Sequence, residues 1–256
     1  MNLSIGILVV GSLYWESKDC GGAWACEQNP VRVVWRSNRL RSPAEHEFAV
    51  NVPIRYGRKS QSRGGTFTMV FSPEYNQRQG TGTAIRCEAN VTSIEDLIEE
   101  AEELWKAESN GQDGRLSDSW GCVTLIVSDR FLEHADRSQR QQLLNDWAAR
   151  VSSPRESSYG NLGFSERDRE AAQGQVIADG RLRIPWPSLS SGEPLSLDLL
   201  LATATNPGVG ANGALYPTAQ QVADAWNRNG HVYYFRCNRL AGIHTADDEA
   251  IEKFLR

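Results

Sequence analysis

Residues 92–109 read Thr-Ser-Ile-Glu-Asp-Leu-Ile-Glu-Glu-Ala-Glu-Glu-Leu-Trp-Lys-Ala-Glu-Ser. Apolar residues recur in this stretch at i, i+3, i+4 and i+7, the spacing of one face of an α-helix. They are Ile94, Leu97, Ile98, Ala101, Leu104 and Trp105. Thr92 and Glu95 form a candidate capping box, and Ser93 is a second candidate N-cap. The stretch therefore predicts one amphipathic helix with its apolar face toward the core.

Glu108 lies at the C-terminal end of this predicted helix. Since it follows Leu104 by four residues, its side chain projects from the apolar face. Burial and the negative end of the helix dipole both raise the pKa of a carboxyl group in that position. A raised pKa suits a general acid/base, so Glu108 is the candidate catalytic residue. The alternative is that the helix ends at Ala107 and that Glu108 lies in water.

An apolar, β-branched run at residues 3–10 predicts a buried strand that leads into Gly11 and Ser12. A turn after such a strand leaves backbone N–H groups available to hold a carboxylate or an oxyanion. We therefore include Gly11, Ser12, Leu13 and Tyr14 among the candidate substrate-binding residues. The alternative is an ordinary β-turn without a ligand.

A cluster of cations follows between two predicted strands. Arg55, Arg58, Lys59 and Arg63 lie within nine residues, together with small polar residues and glycines. In a chain of net charge −5, this local positive charge predicts contact with an anionic ligand. Arg55, Arg58 and Arg63 are the candidates, and the alternative is a solvated hairpin tip.

The remaining periodicity predicts an α+β fold, with a mostly antiparallel β-sheet or β-barrel and few helices. We expect further strands at residues 31–36, 47–54, 66–71, 82–91, 122–127, 197–205 and 231–237, and a hairpin at 176–184 around Asp179-Gly180. Helices are expected at residues 138–151, 217–229 and 246–255. The predicted domains are 1–129, which holds the candidate site, and 130–256, an α+β extension that packs on it or forms a second small domain.

Composition excludes several classes of protein. A net charge of −5 argues against a general nucleic-acid-binding protein. No apolar run has the length of a membrane span, and the apolar run at the N-terminus lacks the flanks of a signal peptide. The five cysteines are scattered and contain no Cys-x-x-Cys pair, which predicts reduced cysteines in a cytoplasmic protein.

Two motifs associated with cofactors do not meet their structural requirements. Residues 208–213 match G-x-G-x-x-G, but the next helix is predicted to begin only at Pro217, and no acidic residue follows the next strand. The four histidines lie far apart and lack the spacing of zinc ligands. We therefore expect neither a cofactor nor a metal.

Two short segments resemble the γ-glutamylcyclotransferase-like family. Val10-Gly11-Ser12-Leu13 resembles the family's Tyr-Gly-Ser/Thr-Leu/Asn loop, and residues 104–109 resemble its acidic motif Leu-Asp-x-x-Glu-Gly. Val10, Trp105 and Ser109 depart from the family's tyrosine, aspartate and glycine. The resemblance covers residues 3 to 128.

This resemblance implies a metal-independent enzyme that acts on a small, anionic molecule derived from an amino acid. Glu108 would be the general acid/base, and Gly11, Ser12 and Leu13 would hold the substrate. The alternative is a non-catalytic protein that uses the same barrel to recognise an anionic ligand or partner. The expected partner is a small anionic molecule, without a membrane or nucleic acid, and we make no prediction of the oligomeric state.

Overall fold

The computed structural model describes residues 1–18, 26–42, 44–72, 78–134, 136–156, 176–205 and 216–256. The strands are β1 Ile5–Val9, β2 Glu47–Val52, β3 Ile54–Ser60, β4 Thr66–Phe71, β5 Gly80–Arg86, β6 Ser117–Asp118, β7 Gly121–Val127, β8 Ile177–Ala178, β9 Arg181–Leu182, β10 Ser188–Leu189 and β11 Leu199–Thr205. The helices are α1 Ser12–Glu16, α2 Pro30–Arg39, α3 Ile94–Ser109, α4 Asp129–His134, α5 Arg137–Val151, α6 Ala219–Asn229, α7 Val232–Leu240 and α8 Asp248–Glu252. The motif at residues 208–213 lies outside the described residues.

Most strands belong to one mixed sheet with the order β10-β2-β5-β1-β11-β7-β9-β8, and β6 pairs with β7. Strands β1 and β11 lie side by side and parallel, with Ile5 opposite Leu199 and Leu8 opposite Ala202. Their other neighbours, β5 and β7, run antiparallel to them. Both central strands are almost entirely buried, as their continuous apolar sequences predict.

Strands β3 and β4 form a separate antiparallel pair, with a register shift between Tyr56 and Arg58. Arg55, Arg58 and Lys59 therefore lie within strand β3 rather than in the turn that the sequence predicts. Arg63 ends the short 3-10 helix Gln61–Arg63 that connects the two strands.

Helix α3 packs against β7, β11, α2 and α5 and has the predicted apolar face. Leu97, Ala101, Leu104 and Trp105 on this face are fully buried. The capping box is formed by Ser93 and Asp96, so the second candidate N-cap is the one used. The helix continues through Glu108, and the prediction that residues 92–109 form one helix is confirmed.

Two segments that were predicted as strands are helices. Residues 31–36 lie in α2, which begins at Pro30 because the Asn29 side chain accepts hydrogen bonds from the first free backbone N–H groups. Residues 232–237 lie in α7, despite a β-branched and aromatic composition that is typical of strands. Burial of one face of each helix outweighs the local preference of these residues for a strand.

The α+β class is confirmed, but no closed barrel is found among the described residues. The order of the large sheet ends at two different strands, β10 and β8. Strand β11 is inserted between β1 and β7, so the segment 130–256 contributes a central strand to this sheet. The division into domains 1–129 and 130–256 stays a prediction.

Cys26 and Cys237 form a disulfide bond, so the prediction of reduced cysteines is wrong for this pair. The bond connects the segment before α2 to α7, whereas Cys87 and Cys122 are free and buried. Disulfide bonds are rare in cytosolic proteins. The cytoplasmic location, which depended on reduced cysteines, stays a prediction.

Among the described residues, no helix combines the length and the apolar character needed to cross a membrane.

Candidate functional site

A cavity of about 410 Å³ lies at the edge of the large sheet where the parallel strands β1 and β11 end. Val10 follows β1 directly, and Thr203 and Thr205 belong to the last part of β11. Arg58 and Met69, from the β3–β4 pair, line another side. A cavity of this volume suits a small organic molecule.

Glu108 projects into this cavity from the last turn of α3. Its side chain is 17% exposed, so the carboxyl group is largely shielded from bulk water yet borders the cavity. Burial raises the pKa of the Glu108 carboxyl above its ordinary value, and the nearby charge of Arg32 opposes this effect. The alternative of a frayed helix end is excluded, because the helix includes Glu108 and Ser109.

Arg32, on α2, joins the main elements of the site. Its Nη2 donates to Glu108 Oε2 at 2.9 Å and to the Glu108 carbonyl at 3.5 Å, and its Nε donates to the carbonyl of Ala107 at 3.1 Å. Its Nη1 donates to Ser12 Oγ at 3.0 Å and to Glu16 Oε2 at 2.7 Å. All five N–H bonds of the guanidinium are thus used within the protein. Arg32 positions Glu108 and has no donor left for a ligand.

Glu16, the last residue of α1, extends this set of ion pairs. While Oε2 of Glu16 accepts from Arg32, Oε1 accepts from Nη2 of Arg63. The same Nη2 donates to Ser12 Oγ at 3.2 Å, and Nη1 of Arg63 donates to the hydroxyl of Tyr233 at 3.2 Å. The carboxylates of Glu16 and Glu108 thus alternate with two guanidinium groups, so this part of the site carries no net charge.

Arg58 differs from the other two arginines of the cavity. Among the described residues, its guanidinium forms no ion pair with a carboxylate within 4.0 Å. Its Cζ lies 4.7 Å from the centre of the Trp120 ring, which stacks on Trp105 at 4.8 Å. Arg58 therefore gives the cavity a net positive charge.

The structure brings together most of the residues that were predicted from sequence. Ser12, Leu13, Arg58, Arg63 and Glu108 all line the cavity. The predicted acid/base and two of the three predicted anion-binding arginines, Arg58 and Arg63, thus face the same space, although they come from separate segments of the chain.

Arg55 and Tyr14 lie elsewhere, so the structure does not support their predicted contact with the same ligand. Arg55 Cζ lies 4.1 Å from the centre of the Tyr216 ring, and its Nη2 lies 4.0 Å from Asp247 Oδ2. The Tyr14 hydroxyl donates to Glu47 Oε2 at 2.7 Å and stabilises the packing of α1 near β2. Neither residue lines the cavity.

Gly11 contributes a backbone conformation rather than a ligand contact. Its φ of 92° is unfavourable for residues with a side chain, and helix α1 begins directly after it. The predicted Gly-Ser turn is therefore the start of a helix. A Cβ at this position would lie 2.7 Å from the hydroxyl of Tyr234, another residue that lines the cavity.

We expect Gly11→Ala to destabilise the fold by about 1–3 kcal/mol, because it combines backbone strain with crowding of Tyr234. Gly111→Ala is the matched control, since Gly111 also has a positive φ but has open space around its Cβ position. Urea unfolding of both variants measures the difference. Equal destabilisation would contradict a specific role for the contact with Tyr234.

Sequence reasoning missed Glu16, Arg32, Trp120 and Tyr234. The sequence does indicate that Arg32 lies in a helix, since Asn29-Pro30 is a common start of a helix. For Glu16, a helix from Ser12 onward places residues 12 and 16 on the same face. The sequence contains no comparable local signal for Trp120 or Tyr234, because tertiary packing alone brings them to the cavity.

The raised pKa of Glu108 predicts a pH dependence of stability. Between the ordinary pKa of 4.5 and the higher pKa in the folded state, the folded protein retains a proton that the unfolded chain has lost. Proton binding by Glu108 therefore favours the folded state. Its contribution to the free energy of unfolding is complete below the ordinary pKa and is lost as the pH rises through the folded-state pKa.

Glu108→Gln removes this titration. The free energy of unfolding of the wild type, relative to that of Glu108→Gln, should therefore decrease as the pH rises from the ordinary pKa of 4.5 through the folded-state pKa of Glu108. Urea unfolding across this interval measures it. Glu100 and Asp248, whose carboxyl pKa values are also raised by burial, are present in both proteins and cancel. A difference that is constant or increases with pH would contradict the prediction.

Among the described residues, no group of three or more His, Cys, Asp or Glu side chains is arranged to hold a metal ion. Comparison of the chain with protein-family models, curated proteins and solved structures gives no match. The function therefore has to be inferred from the geometry of the cavity and from the sequence.

Proposed function

We propose that this protein is an enzyme that acts on a small, anionic molecule derived from an amino acid, with Glu108 as its general acid/base. The proposal depends chiefly on one observation. The Glu108 carboxyl and the Ser12 hydroxyl contact the same guanidinium group, that of Arg32, and line the same cavity. A proton-transfer group and a ligand-sized space are thus adjacent.

The reaction implied by the resemblance to γ-glutamylcyclotransferases fits such a site. The amine nitrogen of a γ-glutamyl group attacks its own side-chain amide carbon, which forms a five-membered lactam and breaks the amide C–N bond. Glu108 would remove one proton from the ammonium group, which frees the amine to attack, and would return this proton to the leaving nitrogen. The second proton that the ring nitrogen loses as the lactam forms passes to the departing amine, which leaves as an ammonium ion. Since Arg32 holds Oε2, we assign the proton transfer to Oε1.

The ion pair with Arg32 favours a second candidate function. A guanidinium at 2.9 Å stabilises the ionised form of Glu108 and opposes its protonation. The chain also departs from the motifs of the γ-glutamylcyclotransferase-like family at Val10, Trp105 and Ser109. The second candidate is accordingly a binding protein in which Glu108 has only an electrostatic and structural role.

The decisive experiment is an assay for 5-oxoproline released from a panel of γ-glutamyl dipeptides by the wild-type protein. Release above the rate in buffer supports the enzyme. Thermal stabilisation by glutamate or 5-oxoproline without release from any dipeptide would support the binding protein instead.

A further inference from the structure

The three arginines of the cavity differ in whether their hydrogen-bond donors and their charge are already used by protein groups. Arg32 uses all its donors on protein acceptors, and Arg63 is held by Glu16, Ser12 and Tyr233. Arg58 has no carboxylate partner among the described residues, although it lines the same cavity. Of these three arginines, Arg58 is therefore the one that no described carboxylate pairs with.

Two tryptophan side chains form one side of the surroundings of Arg58. Its guanidinium lies over the indole of Trp120, and Trp120 in turn stacks on the fully buried Trp105. A cation–π contact on the face of the ring leaves the guanidinium N–H groups free to donate to an acceptor in the cavity. Burial also lowers the pKa of Arg58, as expected for a cation that has lost part of its hydration.

We propose that Arg58 and Trp120 form the subsite that receives the anionic group of the ligand, and that this group is a carboxylate. The planar guanidinium matches a carboxylate through two parallel hydrogen bonds. When Glu108 is ionised, as a base has to be before it accepts a proton, Glu16 and Glu108 balance Arg32 and Arg63. The cavity then has a surplus of one positive charge, which suits a monoanion better than a phosphate dianion.

The position of Arg58 also relates the ligand to the proposed acid/base. Arg58 and Glu108 line the same cavity of about 410 Å³, and the charge of each affects the pKa of the other. A carboxylate bound at Arg58 therefore places the rest of a small ligand within reach of Glu108. The inference depends on the proposed function only in taking the cavity as the ligand site, and it does not require turnover.

Calorimetric titration with two matched pairs of probes tests the inference. The pairs are 5-oxoproline with 5-oxoprolinamide, and benzoate with benzamide, and in each pair a neutral amide of similar shape replaces the carboxylate. Inorganic phosphate is the fifth probe. We expect at least one carboxylate to bind the wild type about 10-fold or more tightly than its amide, and more tightly than phosphate.

Arg58→Gln should abolish this preference for the carboxylate, and Arg58→Lys should retain part of it. Lys59→Gln is the matched control, since Lys59 is the next residue of β3, is exposed and does not line the cavity. It should bind as the wild type does. Circular dichroism of each variant verifies that it is folded.

The inference would be overturned by equal binding of carboxylate and amide, by unchanged binding by Arg58→Gln, or by tighter binding of phosphate. Absence of binding by all five probes at millimolar concentration also contradicts it. A carboxylate preference that depends on Arg58, together with no release of 5-oxoproline from any dipeptide, would refute only the proposed enzyme.

Discussion

Glu108→Gln is expected to lower the turnover of γ-glutamyl dipeptides by about 10²- to 10⁴-fold, the range typical for removal of a general acid/base. Glutamine retains the size of the side chain and can still accept a hydrogen bond from Arg32, but it cannot take up and return a proton. Because the shape of the cavity is preserved, the loss should appear in kcat more than in KM.

Glu103→Gln is the matched control for this variant. It makes the same chemical change on the same helix, at a residue that does not line the cavity, and should turn over as the wild type does. The initial rate of 5-oxoproline release is measured for the wild type, Glu108→Gln and Glu103→Gln under the same conditions. Equal turnover by the wild type and Glu108→Gln would eliminate Glu108 as the acid/base.

Arg32→Met is expected to destabilise the protein by about 3–5 kcal/mol, because removal of one member of a buried ion-pair set leaves its partners uncompensated. Glu108 loses its ion pair, and Glu16 retains only the one with Arg63. The hydrogen bonds from Arg32 to the carbonyl of Ala107 and to Ser12 are lost as well. Urea unfolding at neutral pH measures the change.

A double-mutant cycle separates the loss of the ion pair from the loss of packing. In Arg32→Met/Glu108→Gln, no unpaired carboxylate remains at residue 108, so the combined destabilisation should be smaller than the sum of the single effects. Arg228→Met, at an exposed position of α6, is the control and should change stability by less than about 0.5 kcal/mol. Strict additivity in the cycle would contradict direct coupling between Arg32 and Glu108.

Elements with strong local signals could be predicted from the sequence. Helix α3 combines a long apolar periodicity with a capping box, and the hairpin of β8 and β9 has positive φ values at Asp179 and Gly180, as its turn sequence requires. Helices α2 and α7 could not be predicted by composition, because their valines and aromatic residues favour strands locally. The Asn29 cap of α2 and the buried faces of both helices decide the outcome instead.

The candidate site was predictable only in part for a similar reason. The position of Glu108 follows from helical periodicity, and Ser12 follows from the end of the first strand. Arg32, in contrast, lies 76 positions from Glu108 in the sequence, in a helix whose valines and tryptophan predict a strand. Sequence spacing alone does not reveal which arginine is held by carboxylates and which is left for a ligand.

The central claim is that a carboxyl group with a raised pKa faces a ligand cavity at residue 108. Carbon-13 NMR of glutamate side chains, with the Glu108 resonance assigned by its absence in Glu108→Gln, measures this pKa directly. We predict that the resonance titrates above the ordinary value of 4.5 and moves when 5-oxoproline is added. Titration at or below 4.5, with no response to 5-oxoproline, would contradict the claim.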